Sequence, residues 1–338
     1  MRALAESPCK SKLEGDHDAR YSRWMADPLI RTLTLNPSID LSSDVDELQP
    51  THKLRTRNER MDAGGGGINV ARVLRRLEAN VEALFLAGGV TGALLDDLLR
   101  RDGVERQRIA IAGDTRLSHT IHECSTGKEY RFVPEGPPVA DAELARALEA
   151  AAQPCDYLVA SGSLPPSADA GTYARLAAGV TGSGTQLVLD TSGAELAAAM
   201  EAGGIFLVKP SRGELEELAG ENLADAAAIV RYASQLVSDG KAKHVAVTLA
   251  RDGAILVSEE GAFQLPAVQV ETRSAVGAGD SFVAAMTFGL ATGRSLLDAF
   301  RLGAAAGAAA ALTPGTGLCR PEDVWRLLDQ IERPIRLG

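Results

Sequence analysis

A glycine-rich turn that ends in one carboxylate stands directly before an apolar helical pattern. It reads Ala275-Val276-Gly277-Ala278-Gly279-Asp280-Ser281-Phe282, and the pattern predicts a helix over Asp280–Ala291. Backbone N–H groups that point together at a helix N-terminus can bind a phosphate without a lysine. Asp280 could then take a proton from a hydroxyl while the amides hold a transferring phosphoryl group. An ordinary N-cap at Asp280 is the alternative.

A second glycine-rich segment carries an amide side chain. Gly64–Gly67 are four consecutive glycines that lead into a predicted helix over Ile68–Leu77, with Asn69 on its first turn. Backbone can approach a ligand closely only where side chains are missing. A flexible loop is the alternative, but a linker rarely runs directly into an apolar-periodic helix. We therefore expect a sugar-binding loop in which Asn69 bridges sugar hydroxyls.

These loops must be positioned by the regular elements around them. From Ile30 onward, short apolar runs alternate with helical patterns, which indicates right-handed crossover units and a mostly parallel sheet with helices on both faces. The predicted class is α/β. The predicted strands are Ile30–Leu35, Val81–Leu86, Tyr157–Ala160, Gln186–Leu189, Phe206–Val208 and His244–Thr248. Further predicted helices are Gly92–Arg101, Asp141–Ala152, Ala194–Glu201, Ala224–Ser238 and Pro321–Ile331.

Two segments break this alternation. Ile39–Arg60 and Leu117–Phe132 have the patterns of antiparallel strands, and we expect them to meet as a small sheet that acts as a lid. Residues 1–27 are expected to form a flexible extension, and deletion of Met1–Arg23, which lacks core periodicity, is expected to leave folding and turnover nearly unchanged. Residues 28–338 are expected to form one domain.

Composition excludes several classes of protein. The formal net charge is -10, and no basic run interleaved with aromatic residues provides a local exception, so nucleic acid is excluded as a partner. No apolar run is long enough to span a membrane. The four cysteines form no CxxC pair, which favours thiols in a reducing compartment and a cytoplasmic location. Neither a GxxxxGK[ST] loop nor a GxGxxG fingerprint is present, which weighs against a dehydrogenase.

Four segments together resemble the PfkB, or ribokinase-like, carbohydrate kinase family. They are Asn36-Pro37-Ser38-Ile39-Asp40, Gly64–Arg72, Ser161-Gly162-Ser163-Leu164-Pro165-Pro166 and Val276-Gly277-Ala278-Gly279-Asp280-Ser281. Their order and spacing are similar to the family's from about Ile30 to about Ile331. The resemblance implies a Rossmann-like domain with a β-sheet lid that pairs with a second copy to form a homodimer.

The resemblance also implies a reaction. Gly66 stands where 1-phosphofructokinases and tagatose-6-phosphate kinases usually have a lysine, and the motif is most similar to that of members acting on fructose 6-phosphate. The implied activity is Mg²⁺-dependent phosphoryl transfer from ATP to the 1-hydroxyl of fructose 6-phosphate, giving fructose 1,6-bisphosphate. Tagatose 6-phosphate and fructose 1-phosphate are alternative substrates. A non-catalytic sugar-phosphate sensor is the alternative of another class, although a sensor would not need Asp280 beside an anion site.

Site residues follow from the same resemblance. Asp280 is the implied catalytic base. Asp40, Asn69, Gly65, Gly66 and Ser161 are the implied sugar contacts, and Lys53, Arg55, Arg116 and Arg131 are candidates for the substrate phosphate. Arg116 is the preferred cation because bidentate arginine suits a phosphate, whereas solvated surface charge is the alternative for all four.

The nucleotide and cation contacts are implied in the same way. Lys209, Ser211, Thr248, Gly253, Gly277, Ala278 and Gly279 would contact ATP, and Glu214 would order water around Mg²⁺. Ser211 with Glu214 also fits a capping box, which is the structural alternative. Ala250 stands where a glycine is common in the family. Ser274, Val276, Ala310, Thr313 and Gly315 fall where related enzymes bind potassium.

Overall fold

A computed structural model describes residues 27–337 of the chain. The expected flexible extension, residues 1–27, lies outside the described residues except for Asp27. The strands are β1 (Ile30–Thr34), β2 (Ser38–Val45), β3 (Arg57–Gly64), β4 (Val81–Ala87), β5 (Glu105–Ala110), β6 (Arg116–Glu123), β7 (Lys128–Phe132), β8 (Tyr157–Ser161), β9 (Gln186–Asp190), β10 (Ile205–Val208), β11 (Ala242–Thr248), β12 (Ala254–Ser258), β13 (Gly261–Leu265) and β14 (Ile335–Leu337).

Helices connect most of these strands. They are α1 (Gly66–Arg76), α2 (Gly89–Arg101), α3 (Asp141–Ala151), α4 (Thr172–Val180), α5 (Gly193–Ala202), α6 (Arg212–Ala219), α7 (Ala226–Ser238), α8 (Ala278–Ala291), α9 (Leu296–Ala311) and α10 (Pro321–Leu328). No helix in the described part of the chain is long and apolar enough to cross a membrane.

The main sheet has ten strands in the order β14-β13-β12-β11-β10-β9-β8-β1-β4-β5. The seven from β5 to β11 are parallel, and β12, β13 and β14 add an antiparallel edge. The predicted α/β class is therefore confirmed. The sequence analysis missed the antiparallel edge and the strand β5.

The core lies on both faces of the main sheet. Along β4, Ala83 and Phe85 pack into one apolar cluster, whereas Leu84 and Leu86 pack into the other. All four side chains are fully buried. A strand covered by helices on both sides needs apolar residues at consecutive positions, which is why a continuous run predicted it.

The two segments that break the alternation form one separate sheet of four strands, in the order β3-β2-β6-β7. The β2–β3 and β6–β7 pairs are antiparallel, as predicted, and the central pair of β2 and β6, whose direction was not predicted, is parallel. Each segment forms a hairpin, and the two hairpins join through their first strands. The small sheet adjoins the main one because β1 precedes β2 and α1 follows β3 without a long linker.

Candidate active site

The carboxylate predicted to be catalytic lies inside the first turn of α8. Gly277 is the N-cap, with φ at 74°, and the helix begins at Ala278, so the predicted start at Asp280 is wrong by two residues. Glycine adopts this left-handed conformation without steric cost. No side chain caps α8, and the amides of Gly279 and Asp280 have no acceptor among the described residues. Asp280 is therefore not an N-cap, and free N–H groups lie beside its carboxylate.

Asp280 contacts the amide side chain that was predicted to bind sugar. Asn69 Nδ2 donates a hydrogen bond to Asp280 Oδ2 at 2.9 Å, joining the first turns of α1 and α8. Burial, with a smaller contribution from the charge of Asp190, raises the pKa of Asp280 to about 7, although the Asn69 hydrogen bond lowers it. A carboxylate with a pKa near the working pH is suited to accept a proton from a hydroxyl.

A buried ion pair lies beside this turn. Lys209 Nζ is 3.1 Å from Asp190 Oδ1, and their side chains are 6% and 14% exposed. A Cβ built on Gly279 would lie 3.5 Å from Lys209 Nζ, so the ammonium group faces the free amides of α8. Burial lowers the pKa of Lys209, but the negative charges of Asp190 and Glu214 raise it by more. The net shift is upward, so the lysine keeps its charge. The site thus offers an ammonium group and backbone N–H groups to an anion.

The sugar side of the site begins on β2. Ser38 Oγ donates to Asp40 Oδ1 at 2.6 Å, and burial raises the pKa of Asp40. Arg131 and Arg116 lie near enough for their charges to oppose that shift. Asp40 therefore offers a partly buried acceptor next to two cations, an environment that suits a phosphorylated sugar.

The four glycines pass against the end of β8, but they do not form the predicted loop, because Gly64 ends β3 and Gly66 and Gly67 begin α1. A Cβ on Gly66 would lie 2.3 Å from Ser161 Oγ, which is far inside any allowed contact. Gly65 is the N-cap of α1 and Asn69 follows on the first turn. Because Gly66 has no side chain, the backbone there can approach Ser161 closely. The structure therefore makes the predicted sugar contacts Gly66 and Ser161 neighbours.

Arg116 begins β6 and donates to three backbone carbonyls in two segments of the chain. Its Nη2 donates to Asn36 O at 2.7 Å, its Nη1 to Pro134 O at 2.8 Å and its Nε to Pro37 O at 3.4 Å. A guanidinium has five N–H donors, so two remain for a ligand. Burial lowers the pKa of Arg116, whereas the nearby Asp40 raises it. Arg116 thus anchors the start of the small sheet and still has donors to offer.

The other predicted cations are less constrained. Lys53 and Arg55 are exposed in the segment between β2 and β3, and neither makes an ion pair or side-chain hydrogen bond with another described residue. Arg131 is exposed on β7, where it pairs with Thr120 in the register of the sheet. Of these three, only Arg131 has a charge that acts on Asp40.

The predicted nucleotide segment forms the capping box that was its structural alternative. Ser211 N donates to Glu214 Oε2 at 2.7 Å, and Glu214 N donates to Ser211 Oγ at 3.3 Å. Ser211 also forms a parallel bridge with Thr248, so these two predicted ATP contacts are adjacent. The capping box uses one carboxylate oxygen of Glu214. The second oxygen can still hold water around a hydrated Mg²⁺, which usually takes one or two carboxylates from a protein.

The turn after β11 holds two more predicted positions. Gly253 has φ at 94° and a Cβ there would lie 2.0 Å from Leu265 O, so this glycine is required by packing. Ala250 also has positive φ, at 51°, in a conformation that costs a residue with a side chain about 1–2 kcal/mol. This strain explains why glycine is suited to position 250.

The loop after α9 contains residues predicted to bind potassium. Ala310 O accepts hydrogen bonds from Thr313 N at 3.0 Å and from Thr313 Oγ1 at 2.7 Å. Thr313 Oγ1 also lies 2.6 Å from Gly317 O. The single hydroxyl proton of Thr313 can go to only one of these two carbonyls, so a lone pair of Ala310 O is free whenever the proton goes to Gly317 O. Ser274 Oγ accepts from Val276 N at 3.3 Å.

The sequence analysis missed Asp190 and gave Arg72 no role. Asp190 ends β9 at the carboxyl edge of the parallel sheet, and an acid directly after a buried apolar run is the signal that could have indicated it. Arg72 is 6% exposed and pairs with Asp62 at 3.0 Å and with Asp102 at 2.6 Å. Thr316 Oγ1 donates to the other oxygen of Asp62 at 3.0 Å. Arg72 therefore ties the end of the small sheet to α1.

Comparison with known proteins decides the family. Residues 34–323 match the pfkB family carbohydrate kinase. The chain belongs to this family. It is 43% identical over 314 residues to the ATP-dependent 6-phosphofructokinase isozyme 2 of Mycobacterium tuberculosis, covering 92% of each chain. It is 34% identical over 306 residues to the 1-phosphofructokinase of Bacillus subtilis, covering 90% of this chain and 99% of that protein.

A solved structure of another pfkB-family relative matches the fold. The crystal structure of phosphofructokinase-2 from Escherichia coli in complex with fructose-6-phosphate aligns with a TM-score of 0.85 and 36% sequence identity. The match covers 90% of this chain and 100% of that one. The resemblance stated from four sequence segments is therefore confirmed over nearly the whole described chain.

Proposed function

We propose that this pfkB-family chain transfers a phosphoryl group from ATP to the 1-hydroxyl of fructose 6-phosphate, giving fructose 1,6-bisphosphate. The observation that carries the proposal is Asp280, held by Asn69 at 2.9 Å beside the uncapped N-terminus of α8. A base and an anion site in one turn meet the two needs of phosphoryl transfer to an alcohol. The similarity to 6-phosphofructokinases over most of the chain supports the choice of sugar.

Asp280 acts on the sugar hydroxyl in this proposal. With a pKa raised to about 7, the carboxylate is about half ionised at neutral pH and can accept the hydroxyl proton as the oxygen attacks. Asn69 fixes the orientation of the carboxylate through the hydrogen bond to Oδ2, which leaves Oδ1 for the hydroxyl. A positioned base of this kind contributes about 10²- to 10⁴-fold to rate.

The α8 turn and Lys209 hold the charge of the phosphoryl group. The free amides of Gly279 and Asp280 and the positive end of the helix favour an anion at this point. Lys209 adds a full charge, which its contact with Asp190 keeps in place. When bound, ATP supplies the phosphoryl group and Mg²⁺ neutralises part of its phosphate charge, and Glu214 and Asp190 are the carboxylates that would hold the hydrated ion.

Arg116 and Asp40 would recognise the rest of the sugar phosphate. Two N–H donors of Arg116 remain after its three backbone contacts, which is the number that bidentate binding of a phosphate requires. Asp40, accepting from Ser38, would bind sugar hydroxyls on the same side. Lys53, Arg55 and Arg131 are further candidates for the phosphate, carried by exposed segments that can move towards it.

The small sheet also supports a lid and a homodimer. Met61, Phe132 and Leu117 are 44%, 56% and 42% exposed, and the strand register places them on the face opposite Asp40. Large apolar side chains gathered on one exposed face mark an interaction surface. A second copy of the chain is the partner we propose for it, and analytical ultracentrifugation of the wild type and of Phe132→Lys would test the dimer. A wild-type monomer at micromolar concentration would exclude it.

Potassium activation and a cytoplasmic location belong to the same proposal. The cation would be held by Ser274, Val276, Ala310, Thr313 and Gly315, largely through backbone carbonyls. Turnover measured in potassium and in tetramethylammonium chloride at equal ionic strength would test this site. Equal rates in the two salts would exclude a potassium requirement.

A related sugar phosphate is the second candidate substrate, and the similarity to a 1-phosphofructokinase supports it. Steady-state assays with ATP, Mg²⁺ and a panel of fructose 6-phosphate, fructose 1-phosphate, tagatose 6-phosphate and free fructose would separate the candidates. We expect the highest kcat/KM for fructose 6-phosphate. Preference for another sugar phosphate would correct the substrate but keep the kinase class, and binding of sugar phosphate without ATP turnover would indicate a sensor.

A further inference from the structure

Three side chains with different donor atoms meet at the end of the small sheet that is far from Asp40. They are Asp44 on β2, His122 on β6 and Cys124 just after β6. His122 Nδ1 lies 3.4 Å from Asp44 Oδ1 and 4.0 Å from Cys124 Sγ. All three donor atoms lie within 4.8 Å of one another. None of these residues has a role in the proposed reaction.

The strand register brings the three together. Asp44 is the direct partner of His122 in the parallel pair of β2 and β6, so their side chains leave the same face of the sheet. Cys124 begins the turn after β6, and its Sγ lies 4.0 Å from His122 Nδ1, so the turn brings this side chain back to the same face. Cys124 N donates to Val45 O at 2.9 Å and so continues the pairing beyond the end of β6.

Neighbouring side chains orient and charge the cluster. Asn58 Nδ2 donates to Asp44 Oδ2 at 2.7 Å, which leaves Oδ1 facing His122. Arg57 Nη2 lies 3.7 Å from Cys124 Sγ. The charge of Arg57 is offset by its ion pair with Asp46. A carboxylate and a thiolate together would neutralise one divalent ion.

We propose that Asp44, His122 and Cys124 form a binding site for a divalent transition metal of the zinc class. Bond lengths of about 2.0–2.3 Å in a tetrahedron separate neighbouring donors by about 3.3–3.7 Å. The observed 3.4 Å fits this range, and the 4.0 Å contact needs to close by only a few tenths of an ångström. Three protein ligands leave a fourth position for water or for Glu129, the cross-strand neighbour of His122 on β7.

The donor set separates this site from the magnesium of phosphoryl transfer. Thiolate and imidazole ligands select zinc, cobalt or copper, whereas Mg²⁺ takes oxygen ligands in an octahedron. The site lies on the same face of the small sheet as Asp40, which is four residues earlier on β2. At the rise of an extended strand, this spacing corresponds to about 13 Å. A bound ion would therefore link the two strands that carry the sugar side of the site.

Cobalt is the probe that tests this site in the full-length, metal-free, reduced protein. We expect a sulfur-to-cobalt charge-transfer absorption that saturates at one Co²⁺ per chain and is abolished by one equivalent of Zn²⁺, which binds such sites more tightly. Cys124→Ser and His122→Gln should abolish the absorption, and Asp44→Asn should weaken Co²⁺ binding at least tenfold. Zn²⁺ should also raise the melting temperature of the wild type but not of Cys124→Ser.

Matched controls separate this site from other thiols and imidazoles. Cys155→Ser, Cys9→Ser and His17→Gln should keep the full absorption, and so should His119→Gln, which alters the opposite face of β6. Unchanged turnover of Cys124→Ser with ATP and Mg²⁺, without an added transition metal, would show that this variant is folded. Absence of the absorption in the wild type, or its survival in folded Cys124→Ser, would overturn the proposal.

Discussion

Replacing Asp280 by asparagine tests the proposed base with the smallest change of shape. The amide oxygen of the introduced side chain can accept the hydrogen bond that Asn69 now donates at 2.9 Å, so the link between α1 and α8 should survive. The amides of α8 and the ion pair of Lys209 with Asp190 are not altered. The substitution therefore removes the proton acceptor and leaves the anion site in place.

The expected loss of turnover follows from removing only the proton acceptor. A positioned base contributes about 10²- to 10⁴-fold, so kcat should fall at least a hundredfold while the KM for ATP changes little. The pKa of about 7 adds a second signature, because the base must be ionised to accept a proton. The kcat of the wild type should fall as pH drops below about 7, and the small residual rate of Asp280→Asn should lack that dependence.

The same raised pKa predicts an effect on stability. The folded carboxyl titrates near pH 7 and the unfolded one near 3.8, so the folded state binds more protons between these values and loses stability as pH rises through them. At pH 8 the buried charge costs the folded protein on the order of a few kcal/mol. Asp280→Asn should therefore melt higher than the wild type at pH 8, with a smaller difference at pH 5.

The matched control is Asp298→Asn. Asp298 occupies the same position in α9, three residues after the N-cap Ser295, but far from the proposed chemistry. It should keep normal turnover and normal pH dependence in a coupled assay of product formation. Near-normal kcat for folded Asp280→Asn, or an equal loss in Asp298→Asn, would refute the proposed role of the carboxylate.

Three further predictions concern other parts of the site. Arg116→Ala should lower kcat/KM for fructose 6-phosphate roughly 10- to 100-fold, since a charge-assisted contact contributes about 1.5–3 kcal/mol, and unchanged kinetics would place the phosphate contact elsewhere. Lys209→Met should lower the free energy of unfolding by about 3–5 kcal/mol because Asp190 is left buried without its partner. Adding Asp190→Asn should restore stability in urea titrations but not turnover, and normal turnover of the double variant would exclude Lys209 from the mechanism. Ala250→Gly should raise the free energy of unfolding by about 1 kcal/mol by relieving its positive φ, and a decrease would show that the strain is already compensated.

The parallel part of the main sheet could be predicted because its strands are buried on both faces. The continuous apolar run of Ala83–Ala87 is buried throughout, as a strand covered on both faces requires. The edge strand Glu105–Ala110 gave no such signal, since only Ile109 among its six residues is buried. The hairpin of Ala254–Ser258 and Gly261–Leu265 was missed because the alternation of strands and helices ends there. A two-residue turn, not a helix, connects these two strands.

The site could be predicted where one segment carries its own chemistry. The turn before Asp280 and the glycines before Asn69 are local patterns, and each leads into a helix as predicted, although both helices begin two residues earlier than predicted. The contact of Lys209 with Asp190 depends instead on register, because β9 and β10 are neighbours with Leu189 opposite Val208. The backbone contacts of Arg116 likewise depend on segments that are distant in sequence. Contacts between segments that are distant in sequence cannot be predicted from local periodicity.

The parallel pairing of β2 with β6 has a consequence for the order of folding. Ser38 must find Arg116, and the whole of α1, β4, α2 and β5 lies between them in the chain. Contacts of such high sequence separation form slowly, because a long loop must close before any of them is gained. The pairing of β1 with β8 in the main sheet closes a still longer loop, from Ile30 to Tyr157, so both parallel pairings should form late and catalytic activity should appear only after them. Until β2 and β6 have joined, their facing edges are unpaired, which makes this interval prone to aggregation.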